Sequence, residues 1–214
     1  MKVNYYTFKD VRIANAGNTD EEILSHGGPN AEKLRRLRYS FVSMCPDPKR
    51  GKLFLGCTHF GGDILVEFDL RTHKFRSCDY VKSGLREPDE IKIHKGIAMD
   101  PAGQALYFGT ATVSPLSKTI LSRGGGLIRY DIAQRKFSLI ARPTPGDFYQ
   151  TTTYDFGRGK VYAFTDRGGF AAYDMRRKKL LQHEDMGSAP HNGCLDDAGG
   201  IWGTHSPGRQ GFFR

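Results

Sequence analysis

The sequence predicts an all-β protein: a β-propeller built from four-stranded antiparallel blades. Three observations carry the prediction. A strand–Asp–turn–strand unit recurs along the chain, and a hairpin-like unit precedes each copy. Glycine is also abundant, at 26 of 214 residues, where about 15 would be usual. Excess glycine without a collagen period implies many tight turns and hence many short strands.

The first unit reads GGDILVEFDLRTHKF to Phe75, GGGLIRYDIAQRKF to Phe137 and GGFAAYDMRRKKL to Leu180. Each copy runs an apolar strand into an aromatic–Asp pair: Phe68–Asp69, Tyr130–Asp131 and Tyr173–Asp174. A lysine follows five positions after the Asp (Lys74, Lys136, Lys179), and an apolar residue follows the lysine. An Asp that caps its own turn between two strands fits this order.

The second unit appears as MCPDPKRGKLFLG, AMDPAGQALYFGT, YDFGRGKVYAFT and LDDAGGIWGT. Its Asp, Gly-containing turn and apolar-aromatic strand are the pattern of a β-hairpin. Joined, the two units give strands A to D over roughly residues 41–81, 94–143 and 149–186, with a fourth copy from His191. Four-strand units of about 40–60 residues are the mark of a propeller.

The expectation is about four blades of a ring of about six to eight, the last incomplete at Arg214, because an open radial stack leaves a bare sheet face at each end. A four-bladed or open sandwich complete at Arg214 is the alternative. The whole chain reads as one domain. Residues 1–14 supply a ring-closing strand. Residues 15–38 form a helical or loop excursion, suggested by NTDEEILSH and PNAEKLRRLR. Residues 39–214 are blades, with a long loop from Thr112 to Gly125 where function could sit.

Composition narrows the class further. Hydrophobic residues are 38% and charged residues 26%, as in a globular protein. No stretch approaches the ~18 apolar residues of a membrane span, and the start lacks the apolar run of a signal peptide. Cys45, Cys57, Cys78 and Cys194 show no metal-ligand spacing and read as free, buried thiols of a cytoplasmic protein. The net charge of +9 falls mostly in the A–B and C–D turns, at one end of the blades, called the bottom here. These turns read as a solvated face; no aromatics interleave them as a nucleic-acid surface would want.

The opposite end, the top rim, gathers the residues of chemical interest. Aligned through the Asp–Gly turn, the strand-A openings are Phe41, His94, Tyr149 and His191. The strand-B ends and the loops after them carry His59, Thr112, Asp166, Arg167 and His205. Histidine serves as base, acid or metal ligand near neutrality. β-Elimination needs a base for the α-proton, an acid for the leaving oxygen and a cation for the enolate. His94, Tyr149 and Arg167 are the catalytic candidates for these roles. His59, Thr112, Asp166, His191 and His205 are the substrate-binding candidates. A divalent metal such as Mn or Zn is a possible cofactor, although no spacing identifies one. No P-loop, dinucleotide fingerprint, GxSxG or HExxH is present.

The stretch PHNGCLDDAGGIWGTH resembles a blade of the streptogramin (virginiamycin B) lyase group and of related lactonase-type propellers. IHKGIAMDPAGQALYFGT is similar. The resemblance spans most of residues 94–214 and implies the propeller fold. Where that family's metal-binding glutamates would fall, this chain has His205 and Asp166. The His/Tyr/Arg set is also similar in residue type to what propeller polysaccharide lyases use on uronates. Two functions follow as expectations. One is a lyase acting on a uronate-containing saccharide or related ester at the top rim. The other is a non-catalytic propeller that binds a small ligand or protein there. Both imply a small-molecule or oligosaccharide ligand and neither nucleic acid nor membrane.

Overall fold

The computed structural model describes residues 40–59, 62–112, 123–187, 190, 192–204 and 212–213. The expected closing strand (1–14) and excursion (15–38) lie outside them, as does most of the long loop after Thr112. The described chain folds into successive antiparallel meanders. The first blade is β1 (Ser40–Asp47), β2 (Lys52–Thr58), β3 (Leu65–Asp69) and β4 (Lys74–Ser77). The second is β5 (Ala98–Met99), β6 (Ala105–Gly109), β7 (Leu127–Asp131) and β8 (Lys136–Ala141). The third is β9 (Tyr149–Asp155), β10 (Lys160–Thr165), β11 (Gly169–Asp174) and β12 (Lys179–Asp185). A three-stranded fourth sheet comprises β13 (Gly193–Leu195), β14 (Ile201–Thr204) and β15 (Phe212–Phe213). Within each sheet, consecutive strands are hydrogen-bonded neighbours. This is the predicted all-β propeller architecture.

The repeated Asp builds the C–D turns as expected. Asp69 Oδ1 accepts the N–H groups of Arg71 and Thr72, both at 2.9 Å. Asp131 Oδ1 accepts Gln134 N–H at 2.9 Å. Asp174 Oδ1 accepts those of Arg176 at 2.9 Å and Arg177 at 2.8 Å. Four residues after each Asp the backbone turns left-handed, at His73 (φ 58), Arg135 (φ 52) and Lys178 (φ 53). These bonds favour the ionised form, and all three carboxyls lie below the usual range: Asp69 through Lys52 and then its turn amides, Asp131 and Asp174 chiefly through turn amides.

Strand alternation gives each blade two packed faces. Leu106, Phe108, Ile128, Tyr130 and Phe137 of blade 2 join one cluster with Cys45, Phe54, Leu65 and Cys78 of blade 1. At the same strand positions, Val161, Ala163, Tyr173 and Leu180 of blade 3 meet Leu127, Tyr107, Ile140 and Ala141 of blade 2. Each fully buried aliphatic or aromatic side chain is worth roughly 1.5–3 kcal/mol. The stack is therefore held mainly between its blades.

The basic turns are not simply a solvated face. Arg50 pairs with Asp47 at 2.7 Å and donates to Gly103 O of blade 2, also at 2.7 Å. Arg158 repeats this: it pairs with Asp155 at 3.0 Å and reaches Asp197 O of the fourth sheet at 3.4 Å. Arg135 crosses the other way, to Glu67 at 3.1 Å and Ser77 O at 2.8 Å. These cations clip neighbouring blades together.

At the top, the segment that opens strand A lies between two B strands. Cys57 O accepts Ile93 N–H at 3.1 Å, and His59 N–H donates to Ile91 O at 2.7 Å. On its other side, Ile91 N–H donates to Ala111 O at 3.1 Å and Ala111 N–H to Lys92 O at 2.7 Å. The next blade repeats the arrangement, with Tyr149 N–H on Thr110 O at 3.0 Å and Asp166 N–H on Phe148 O at 2.8 Å. A belt of backbone hydrogen bonds thus runs round the rim from blade to blade.

Beneath the belt lies a buried charge network. Glu90, 0% exposed, accepts Tyr80 OH at 2.8 Å, Thr110 Oγ1 at 2.8 Å and Gly126 N–H at 2.9 Å, and pairs with Arg142 at 2.5 Å. Arg142 also donates to Leu85 O at 3.0 Å and to Gly124 O. Removing one partner of such a pair strands the other charge in the interior, at about 3–5 kcal/mol. Glu90→Ala is expected to lower unfolding stability by that amount in urea titration, well beyond the loss for Arg76→Ala on the exposed face of β4.

Candidate functional site

The rim belt brings His59, His94, Thr112, Tyr149, Asp166 and Arg167 to one end of the blades, but in different roles. His59 Nδ1 accepts the N–H of Gly62, and its carbonyl accepts Arg86 at 3.3 Å. The Gly62 bond requires an unprotonated Nδ1. Thr112 is half-buried directly after the Ala111 bridge. Asp166 is tied to the frame: its Oδ1 accepts Phe148 N–H at 2.9 Å while its own N–H bonds Phe148 O. Burial pushes its carboxyl above the usual range, with Asp147 adding to the effect and the Phe148 amide opposing it. His191 and His205 lie outside the described residues.

Tyr149 departs most from expectation. It is 1% exposed, and its hydroxyl is 3.0 Å from Thr144 Oγ1. Burial drives its phenol well above the ordinary tyrosine value, so the proton is firmly held. A sealed, high-pKa phenol neither accepts nor gives up a proton readily, and the catalytic expectation for Tyr149 is corrected on that ground. The cause is a register slip. Counted from the turn Asp, His94 and Tyr149 align. In blade 3, however, Thr165 pairs with Tyr149 and Phe164 with Thr151, leaving Gln150 as a bulge. In blade 2, five residues (93–97) oppose three (108–110) between the Ala98–Tyr107 and Lys92–Ala111 pairs. The true counterpart of Tyr149 is Ile93, buried at 0%; His94 stands one position along and is half-buried. A slip of one residue exchanges the two faces of a strand.

The bulge of blade 2 turns at Gly96, whose φ of 102° lies in the left-handed region. A Cβ there would run into the backbone of Thr152. The kink sets Lys95 in parallel bridge with Thr151, and Thr152 N–H donates to Lys95 O at 3.2 Å. Lys95 Nζ then reaches Asn192 Oδ1 at 3.4 Å, beyond the inner strand of blade 3. The inner rim is therefore where blades 2, 3 and 4 converge.

A second group, missed in the sequence, forms around Asp147. Arg167 Nε lies 3.7 Å from Asp147 Oδ1, and His183 Nε2 lies 3.9 Å from Oδ2. Arg167 and His183 are both largely exposed, at 58% and 46% of their side chains. Arg167 is thus placed beside a carboxylate. The only sequence signal for Asp147 was its place in a Pro-Gly-Asp turn just before strand A. Among the described residues, no three His, Cys, Asp or Glu side chains converge to hold a metal ion. Asp166, at one of the glutamate positions of the lyase group, gives Oδ1 to the Phe148 amide, and His205 at the other lies outside the described residues.

No known protein family and no curated protein matches the chain. Solved structures do. The extracellular domain of BT4673 from B. thetaiotaomicron, named as a one-component system in one structure and a hybrid two-component system in another, matches with TM-scores of 0.55 and 0.54 at 20% identity. Those matches cover 77% and 80% of this chain. The extracellular domain of BT3049, a hybrid two-component system of the same organism, matches at TM-score 0.56 and 18% identity over 79% of the chain. The chain spans about a fifth of the length of each, 20–21%. These likenesses establish the propeller-type fold; the narrower likeness to streptogramin-lyase blades is carried by none of them.

The cytoplasmic expectation is overturned, because the matched structures are extracellular domains. It rested on free thiols, which here reflect geometry. Cys57 lies in β2, its N–H on Ile64 O, and Cys78 lies just beyond β4, its N–H on Leu65 O, so β3 runs between them. Cys194 is exposed rather than buried.

Tyr149→Phe is expected to leave any ligand binding unchanged. It should cost about 1 kcal/mol of stability through the lost Thr144 bond, read as a lower urea midpoint with an unaltered slope.

Proposed function

We propose that the chain forms the recognition portion of a ligand-binding propeller of sensor type, with a small molecule of the saccharide class bound at the top rim. One observation carries this reading most directly. Consecutive blades are locked by the rim belt, and that rigid edge presents polar side chains, with Arg167, His183 and Asn192 exposed and Lys95 half-buried, while the Tyr149 phenol is sealed in the core. Pre-organised polar groups on a fixed scaffold favour binding without turnover. That the matched structures are extracellular domains of one- and two-component systems supports the same reading.

Lyase action on a uronate saccharide is the second reading. His94 and Arg167 are what favour it, and it needs a proton acceptor other than Tyr149.

The two readings separate in one experiment. The protein is titrated calorimetrically against a panel of neutral and acidic oligosaccharides, and each mixture is followed by ultraviolet absorbance for unsaturated products. Saturable binding with flat absorbance is the expected result. Rising absorbance would establish the lyase, and the absence of any heat across the panel would overturn the saccharide-binding reading.

A further inference from the structure

Most partly or fully buried cations in the described chain have a clear counterpart. Arg142 has Glu90, Arg135 has Glu67, Lys52 has Asp69 at 2.8 Å, and Arg86 is spent on backbone carbonyls including Gly62 O at 2.9 Å. Lys92 differs. Its backbone is bridged on one side to Thr58 and on the other to Ala111. Directly opposed antiparallel residues project to the same side, so its ammonium leaves the belt flanked by a threonine and an alanine, neither of them an acid. Burial lowers the pKa of Lys92, and the like charge of Lys95 lowers it further. A half-buried ammonium beside a second ammonium is a costly arrangement that an anion would relieve.

The second cation is placed for the same purpose. Lys95 sits at the inner rim, held by the Thr151 bridge, and its ammonium spends one donor on Asn192 Oδ1 at 3.4 Å. Each ammonium has three donors, and the Asn192 amide NH2 supplies two more. Lys95 and Asn192 bring donor groups together where blades 2 and 4 approach each other, and Lys92 lies three residues before Lys95 on the same rim segment. A carboxylate fits such a set: two oxygens, one charge, and charge-assisted bonds about twice as strong as neutral ones.

We infer that Lys92 and Lys95, with Asn192, form an anion subsite at the inner rim that holds the carboxylate of an acidic sugar. The inference rests on the saccharide-binding reading above and specifies its ligand: a uronate rather than a neutral saccharide. Arg167 does not serve this purpose, because Asp147 already lies beside it. The sequence motif is KIHKG, residues 92–96, with His94 between the two lysines.

The test uses the whole chain, with trigalacturonate as probe and its fully methyl-esterified form as the neutral counterpart. Wild type is expected to bind the acid at least ten-fold more tightly than the ester, and raising salt should shrink the difference. The double variant Lys92→Gln/Lys95→Gln should lose the preference while keeping the wild-type unfolding midpoint within a few degrees. If the double variant fails to fold, Lys95→Gln alone, at the rim edge, should reduce the preference several-fold. An independent readout is the Lys92 side-chain carbon shift in a pH titration, whose midpoint should rise when trigalacturonate is added. Equal affinity for acid and ester, a preference that survives in the folded double variant, or an unmoved Lys92 midpoint would each overturn the subsite. Failure to bind either form would overturn it too. If a neutral sugar of the wider panel still binds, the saccharide reading stands without this subsite; if nothing in the panel binds, both fall.

Discussion

Backbone hydrogen bonding across the rim is the constraint on which the structure depends. A blade alone has two apolar faces and two bare edges, and cannot satisfy either. Side-chain packing covers the faces, as Phe108 and Tyr130 do against Phe54 and Leu65. The edges need the segment that opens each strand A. Residues 91–93 supply donors and acceptors to β2 of the blade before and to Ala111 of their own blade, and residues 148–149 do the same one blade later. Buried backbone groups that would otherwise be orphaned are satisfied between blades. Glu90 and Arg142, just beneath, fix the same junction with charge.

This geometry explains which residues can act on a ligand. Side chains on the strand-A openings fall into two sets by the alternation of the pleat. Ile93 and Tyr149 go inward, into the blade interfaces, where they support the belt. Lys92 and Lys95 flank Ile93 in the same segment, Lys92 bridged to Thr58 and Ala111 and Lys95, next to the kink at Gly96, bridged to Thr151. On the proposed reading, recognition and cohesion divide within a stretch of a few residues.

Much of the fold was legible because its repeating signals are local. The aromatic–Asp pairs at Asp69, Asp131 and Asp174 mark turns whose geometry the side chain itself imposes, so counting them places the strands. The site was less legible. Alignment from the turn cannot see a bulge at the far end of a strand, which is why His94 and Tyr149 were paired when Ile93 and Tyr149 are the counterparts. The Arg50 and Arg158 clips were visible in hindsight, since DPKR and DFGR carry an arginine where DPAG and DDAG have glycine, yet their acceptors are backbone carbonyls in the next blade, invisible to composition. Glu90, Asp147 and Lys92 sit in connecting segments without periodicity, and only three-dimensional contacts reveal what each one faces.

The most direct measurement of the central claim is native-state hydrogen exchange resolved to single amides. If the rim belt is an integral part of the stack, the amides of Ile93, Ala111, Tyr149 and Asp166 exchange as slowly as those of Leu106 and Val161 within the sheets, and they do so together. Rapid exchange at the four rim amides while the strand amides stay protected would show that the blades are joined by side-chain packing alone, and would contradict the account.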